Sequence, residues 1–302
     1  MAPKSEVQST TAPDPVAATL DAANAAHSTT FQLLGRLPGG YQNGAYELRT
    51  EGGQRAVLKR WFGPRPVDQL RQAAATVETA KSVGWPTPAW LYWGMGPDGV
   101  AYGIYEFVDG HHRHALDEPT LDALLTINAL QRDLDPPTTN NWSSWVVEVV
   151  YEGRESILDE VSDFPAGGSR FGSAIARVRT WAGSLAPPDR DLVCGVFDLE
   201  NVLFDADGVA GVIDVQAIGR GTRAFDLAVL YSRLTAGERQ SPIGRRLRGT
   251  AESVAGPAVF AVCMAAEFLG LLLFVVRNNP TVGPAIFENA AEALESLVPR
   301  MR

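Results

Sequence analysis

The stretch from Leu192 to Asp226, LVCGVFDLENVLFDADGVAGVIDVQAIGRGTRAFD, constrains this chain more than any other. Within it two apolar runs, Val202-Leu203-Phe204 and Val209 to Ile213, flank Asp205-Ala206-Asp207-Gly208. An Asp-Gly pair between alternating apolar residues favours a tight turn, so the segment reads as a β-hairpin. Asn201 stands just before the first strand and Asp214 at the end of the second, which puts an amide and a carboxylate at one edge. Such oxygen ligands suit a hard cation such as Mg²⁺, which keeps several waters and bridges to phosphates. The plainer alternative is an Asn and an Asp that only cap strand ends.

A chain of 302 residues is long for one domain and comfortable for two lobes. A net charge of −9 argues against nucleic acid, whose binding needs a basic surface to displace counterions. A cationic small molecule or a peptide suits that charge better. No apolar run is expected to span a bilayer: the longest, Ala258 to Val276, carries Glu267 at its middle and reads as a buried helix. The opening MAPKSEVQST lacks the apolar core of a signal peptide, so a cytoplasmic protein is expected. Two cysteines, Cys194 and Cys263, are too few for a disulfide scaffold or a zinc site and read as free thiols.

Along the chain, residues 1–13 are Ser/Thr/Pro-rich and are expected to be a disordered tail. Asp14-Pro15 then opens an Ala-rich helix to about Ala26, with Asp14 as N-cap. Strands follow at Phe31 to Gly35, Ala45 to Arg49 and Arg55 to Trp61. A glycine-rich turn with Gly39, Gly40 and Gly44 between two strands, followed by a strand bearing Lys59, is the arrangement that covers nucleotide phosphates in kinases. Glycine lets backbone N–H groups approach phosphate oxygens with no Cβ in the way. Taken singly, these glycines also fit a plain hairpin turn, and a strand Lys also fits a side chain in water. Val67 to Val83 has helical spacing and ends at Gly84, and Ala89 to Gly94 with Val100 to Val108 form another hairpin around Pro97-Asp98-Gly99.

From there the pattern is helical: Glu118 to Leu134, Ser144 to Val161 and Gly172 to Leu185, then, beyond Asp226, about Ser253 to Asn278 and Gly283 to Val298. Arg245-Arg246-Leu247-Arg248 is expected to link helices. His111, His112 and His114 crowd one loop, which is read as solvated because no second ligand cluster with zinc-like spacing accompanies it. Between Asp133 and Asp163 acids outnumber the lone base Arg154, which suits either a cationic substrate or a solvated helix face. Trp142 and Trp145 are read either as an aromatic wall or as core.

Gly195, Asn201, Ile213-Asp214, Gly219-Arg220-Gly221 and Arg223-Ala224-Phe225-Asp226-Leu227-Ala228 keep a spacing that resembles the aminoglycoside phosphotransferases and their protein-kinase-like relatives. The resemblance covers roughly Phe31 to Arg233. It implies an α+β, two-lobed kinase-like fold, with a small antiparallel β lobe over residues 14–107, a helical lobe over 108–302, and the catalytic and metal hairpin within 192–226. It further implies transfer of the γ-phosphoryl group of ATP or GTP to a hydroxyl of a small molecule. Lys59 would hold the phosphates, Glu78 would pair with Lys59, Asn201 and Asp214 would hold Mg²⁺, and Asp226 would brace the catalytic loop. Tyr105-Glu106-Phe107-Val108 looks like the hinge, where backbone groups of Glu106 and Val108 would read the base. Where the family has His and its catalytic Asp, this chain has Cys194 and Val196, and Asp198 is the catalytic candidate, the nearby acid available as a base besides Glu200. Two further expectations therefore stand beside the enzyme: a pseudokinase that binds nucleotide or a metabolite for a protein partner, and a kinase of Ser/Thr in a peptide.

Overall fold

The computed structural model describes residues 14–38, 44–61, 67–152, 157–165, 167–278 and 283–299. Asp14 accepts from Val16 N at 3.0 Å and starts helix α1 (Pro15–His27), whose first residue is a proline already shaped for a helix. Five strands, β1 (Gln32–Arg36), β2 (Ala45–Arg49), β3 (Arg55–Trp61), β4 (Trp90–Met95) and β5 (Ala101–Glu106), form one antiparallel sheet in the order β1-β2-β3-β5-β4. Alternation along β3 buries Ala56 and Leu58 with Val16, Leu20 and Ala23 of α1 and Ile104 of β5. Lys59 therefore falls on the opposite face, in register with Ala45 and Gly103. The chain divides into two compact units: one takes the chain through Arg71 together with Ala89–Phe107, the other Gln72–Pro88 and Val108 onward. Helix α2 (Val67–Ser82) contributes to both.

The second unit is mostly helical. It contains α3 (Glu118–Leu130), α4 (Trp142–Val147), α5 (Ile157–Ser162), α6 (Gly168–Ala182), α7 (Ala224–Ser232), α8 (Ala236–Gln240), α9 (Pro242–Ala255), α10 (Pro257–Asn278) and α11 (Ala285–Leu297). Two short ladders interrupt them: β6 (Asp191–Val193) with β9 (Gly219–Gly221), and β7 (Val202–Phe204) with β8 (Val209–Val212), the expected hairpin. The β6–β9 pair carries no alternating pattern in the sequence, because three-residue strands are too short to show one.

Three expectations are corrected. The single helix expected over Ser144 to Val161 breaks: α4 gives way to a π-helical turn over Glu148–Glu152, and α5 starts separately at Ile157. Val146, Val147, Val149 and Val150 crowd this stretch with β-branched side chains, and a widened turn lets Val146, Val149 and Val150 all reach the core. The arginines Arg245 to Arg248 do not link helices but lie inside α9, which Ser241 caps and Pro242 opens. The break comes instead at Gly256, at φ 88°, immediately before Pro257 starts α10. Finally, α10 is long and apolar enough to cross a bilayer by length and composition, contrary to the expectation that no run is. It packs instead against α6, α7, α9 and α11, with its residues from Val259 to Leu269 buried.

Candidate active-site loop and metal hairpin

Beyond β6 the chain turns through Cys194 and Gly195. Gly195 adopts φ 81°, and a Cβ there would lie 2.1 Å from Cζ2 of Trp142, so both backbone and space demand glycine. The Trp142 indole stacks on Phe225 at 5.0 Å, stands edge-on to Trp145 at 5.3 Å, and donates from Nε1 to Ala217 O at 2.9 Å. Trp142 thus packs against the loop at Gly195, with Trp145 behind it on Phe225. Cys194 N and Gly195 N donate to the two carboxylate oxygens of Asp226, at 2.9 and 2.8 Å. Asp226 sits fully buried in the first turn of α7, and burial pushes its carboxyl up from 3.8 to about 6, against the pull of these two amides. The Cys194 thiol is buried too, and burial followed by the Asp226 charge pushes it well above the usual thiol range.

Val196, half-buried, offers its carbonyl to Asp198 N and to Asn201 Nδ2, both at 2.9 Å. Asp198 does not project into open space. One carboxylate oxygen accepts from Glu200 N at 3.1 Å and caps the 3₁₀ turn Leu199–Asn201, and the other faces Arg233 at 3.4 Å. Arg233 also stands 3.6 Å from Glu267 of α10, which accepts from Ser232 at 3.2 Å. Burial raises the Asp198 carboxyl, and Arg233 opposes the rise.

The hairpin brings Asn201 and Asp214 to one end. Ile213 N donates to Asn201 O at 2.8 Å, continuing the ladder in which Val202 faces Val212, so Asp214 follows directly on Asn201's partner. Asp214 takes the left-handed conformation, φ 65° and ψ 30°, uncommon for a residue with a Cβ and tolerated best by Asp and Asn. Because Val196 O holds the amide nitrogen of Asn201, its amide oxygen is the end that can serve as a ligand. One amide oxygen and one carboxylate match Mg²⁺, which takes few protein ligands and completes its shell with water and phosphate. Among the described residues, no group of three or more His, Cys, Asp and Glu is placed to hold a metal ion.

The other expected site residues fall as follows. Lys59 is half-buried on β3, Glu78 is exposed on α2, and the exposed carboxylate of Glu106 accepts from Ala89 N at 3.3 Å. Val108 packs on Gly211, where a Cβ would come within 3.0 Å of its side chain. Gly39 and Gly40 lie outside the described residues, and Gly44 takes φ 63°. His111, His112 and His114 are exposed. Part of the acid surplus is neutralised from elsewhere in the chain: Asp135 pairs with Arg220 at 3.1 Å and Glu160 with Arg277 at 2.8 Å.

Sequence reasoning missed Gln131, Asn128, Arg233 and Glu267 as parts of this site. Asn128 and Gln131 follow Leu121, Leu124 and Ile127 on the buried stripe of α3, and both are fully buried. Two amides continuing an apolar stripe are the signal that marks them, since buried polar groups need partners.

The sequence profile of the phosphotransferase enzyme family matches residues 34–263. No curated protein sequence matches the chain. Among solved structures, the aminoglycoside phosphotransferase APH(4)-Ia is similar with a TM-score of 0.69 at 16% identity, over 94% of this chain and 99% of that one. Amicoumacin kinase hAmiN, in complex with AMP-PNP, Ca²⁺ and Ami, has a TM-score of 0.62 at 14% identity, over 93% of each chain. The GDP and kanamycin complex of APH(2")-IIIa has a TM-score of 0.60 at 14% identity, over 93% of this chain and 97% of that one. At these identities the structures speak for a shared fold, the α+β kinase-like one, while the profile spans most of the chain and includes the loop, the hairpin and α7. By that match the chain belongs to the phosphotransferase enzyme family.

Proposed function

We propose that the protein binds a Mg²⁺-nucleotide and transfers its γ-phosphoryl group, slowly, to a hydroxyl of a small molecule. The observation that carries this reading is that Asp226 holds the Cys194 and Gly195 amides and that the hairpin brings Asn201 and Asp214 to one end; by the resemblance, Val196 stands where the family has its proton-accepting carboxylate. In this reading Lys59 holds the phosphates, helped by the Gly39–Gly40 turn and oriented by Glu78. The backbone at Glu106 and Val108 meets the base, and Asn201 and Asp214 hold the metal. Bound Mg²⁺ would supply neutralisation of the charge shared by the transferring and leaving phosphates. The chain's own part is then to fix the loop, through Asp226, and to aim the acceptor hydroxyl. Phosphoryl transfer passes through a loose transition state in which positioning and charge neutralisation do most of the work. Absence of a base therefore slows transfer, by about 10²–10⁴-fold, without abolishing it. The similar structures that hold AMP-PNP with Ami and GDP with kanamycin support a nucleotide and a small-molecule acceptor.

A second reading is favoured by Asp198, whose two oxygens are spent on Glu200 N and Arg233: a non-catalytic member that binds nucleotide for a protein partner. One experiment separates the two. Calorimetry with ATP and GTP, each with Mg²⁺, is expected to show binding that Asp214→Ala removes; equal affinity of both proteins would overturn the metal pair. In parallel, Val196→Asp is expected to raise transfer or basal nucleotide hydrolysis by about 10²-fold. No turnover in either protein, with nucleotide bound, selects the second reading. Robust wild-type turnover that collapses in Asp198→Ala would instead make Asp198 the base.

A further inference from the structure

Four side chains in the second unit form a directed chain of hydrogen bonds that ends on the loop's brace. Arg223 Nη1 donates to Asn128 Oδ1 at 2.9 Å. Asn128 Nδ2 donates to Gln131 Oε1 at 2.6 Å and to Arg223 O at 3.1 Å. Gln131 Nε2 donates to Asp226 Oδ2 at 2.6 Å. The direction is forced: a guanidinium has only donors, so Asn128 must accept with its oxygen and donate with its nitrogen, and Gln131 must do the same. A cation and a carboxylate separated by two amides are thus joined by dipoles that all point the same way, and each bond polarises the next.

We infer that Gln131 is a positioning residue of the phosphoryl-transfer loop, the last link of a polarised relay Arg223–Asn128–Gln131–Asp226 that holds the Asp226 carboxylate ionised beneath the Cys194 and Gly195 amides. The role in transfer rests on the proposed function; the relay itself does not. Gln131 has the geometry for it. Its side chain and those of Asn128 and Asp226 are fully buried, and its own carbonyl accepts from Leu192 N at 2.9 Å, tying the end of α3 to β6, the strand that leads into the loop. Among the described residues three groups donate to the Asp226 carboxylate: two are the loop amides themselves, and Gln131 is the third. Protonation of Asp226 would turn one acceptor oxygen into a donor facing an N–H group, and the loop would lose a tether. The other titratable groups that bear on Asp226 are Asp191 of β6, whose carboxylate takes Asp133 N and Arg223 N, and the thiols of Cys194 in the loop and Cys263 on α10. Both thiols are held protonated by burial, Cys263 at about 12, while the charge of Asp191 adds to the rise of the Asp226 carboxyl.

The test uses the whole 302-residue chain without nucleotide, labelled so that the Asp226 carboxyl carbon and the Cys194 and Gly195 amides are seen by NMR. In Gln131→Met, the Asp226 midpoint is expected to rise by about one pH unit and exchange of the two amides at pH 7 to quicken about tenfold, because a donor to the charged form is lost. An unmoved midpoint with unchanged exchange overturns the inference. Should that variant fail to fold, Arg223→Gln removes the cation three hydrogen bonds away and leaves the Gln131, Cys194 and Gly195 contacts to Asp226 in place. A smaller rise, about half a unit, supports the relay, and no rise overturns it. The positioning role is read separately, by titrating wild type and Gln131→Met with Mg²⁺-ATP across pH 5 to 8. Affinity that falls at the Asp226 midpoint, and moves with it in the variant, supports the role. Affinity indifferent to that midpoint overturns the role. Absence of any nucleotide binding in the wild type counts against the proposed function, while the carboxyl titration still decides the relay.

Discussion

Gly195 is where the conformational and steric demands on the loop coincide. A left-handed residue with a Cβ costs about 1–2 kcal/mol, and forcing extra atoms into packed space costs about 1–3 kcal/mol. Gly195→Ala is therefore expected to lose about 3 kcal/mol, because the Trp142 ring at 2.1 Å from the new methyl must abandon its stack on Phe225. Thermal denaturation checks the loss; a melting temperature within a degree of wild type would show that the loop relaxes freely. The same locality explains Asp198. The sequence marks it only as the carboxylate nearest Val196, and the contacts with Glu200 N and Arg233 show that it holds the turn together.

At the scale of elements, starts were more legible than continuities. Asp14 and Pro15 announce α1 by a local mechanism, a side-chain acceptor for an orphan N–H followed by a preset φ, and the structure builds that cap. Asp14→Ala is expected to cost about 1 kcal/mol and to lower the melting temperature by a few degrees, read by circular dichroism. An unchanged melting temperature would mean that packing of Leu20 and Ala23 on the sheet holds α1 without its cap. The stretch from Ser144 to Val161 had no such local signal. Helical spacing ran on through it, and the π-helical turn at Glu148–Glu152 arises because the core takes up Val149 and Val150 together. The arginines of α9 mislead for a related reason. Charge suggested a link, yet Arg246 reaches Glu118 and Asp122 of α3, so the cluster is the outer face of a packed helix.

For the whole molecule, the buried acids set how stability changes with pH. Burial raises the carboxyls of Asp198, Asp226 and Glu267. A raised carboxyl binds its proton more tightly when folded, so stability grows as pH falls through the folded value and the gain is complete below the unfolded one. For Asp226, the interval from about 6 down to 3.8 is worth about 3 kcal/mol. The carboxylates that hydrogen bonds hold below the ordinary range, Asp117 through Thr120 and Glu160 through Arg277, withdraw their stability only at lower pH. Denaturant titration is thus expected to show stability rising between pH 7 and pH 5, while solubility falls as net charge shrinks toward the isoelectric point near 5.0. Stability that declines steadily over that range would mean that Asp226 titrates in the ordinary carboxylate range.

The sequence by itself determined the hairpin with Asn201 and Asp214 at its ends, the succession of strands and helices along the chain through Glu106, and the spacing that leads to Asp226, because each rests on local chemistry: a turn residue, a period of two, a cap, a fixed separation. The tertiary structure alone decided what buried polar groups do. That Asp198 caps a turn and faces Arg233, that Trp142 stacks on Phe225, and that Gln131 reaches Asp226 across 95 residues all depend on how the chain packs. A side chain's chemistry is local, but burial, which sets its charge and commits its hydrogen bonds, is a property of the packed whole.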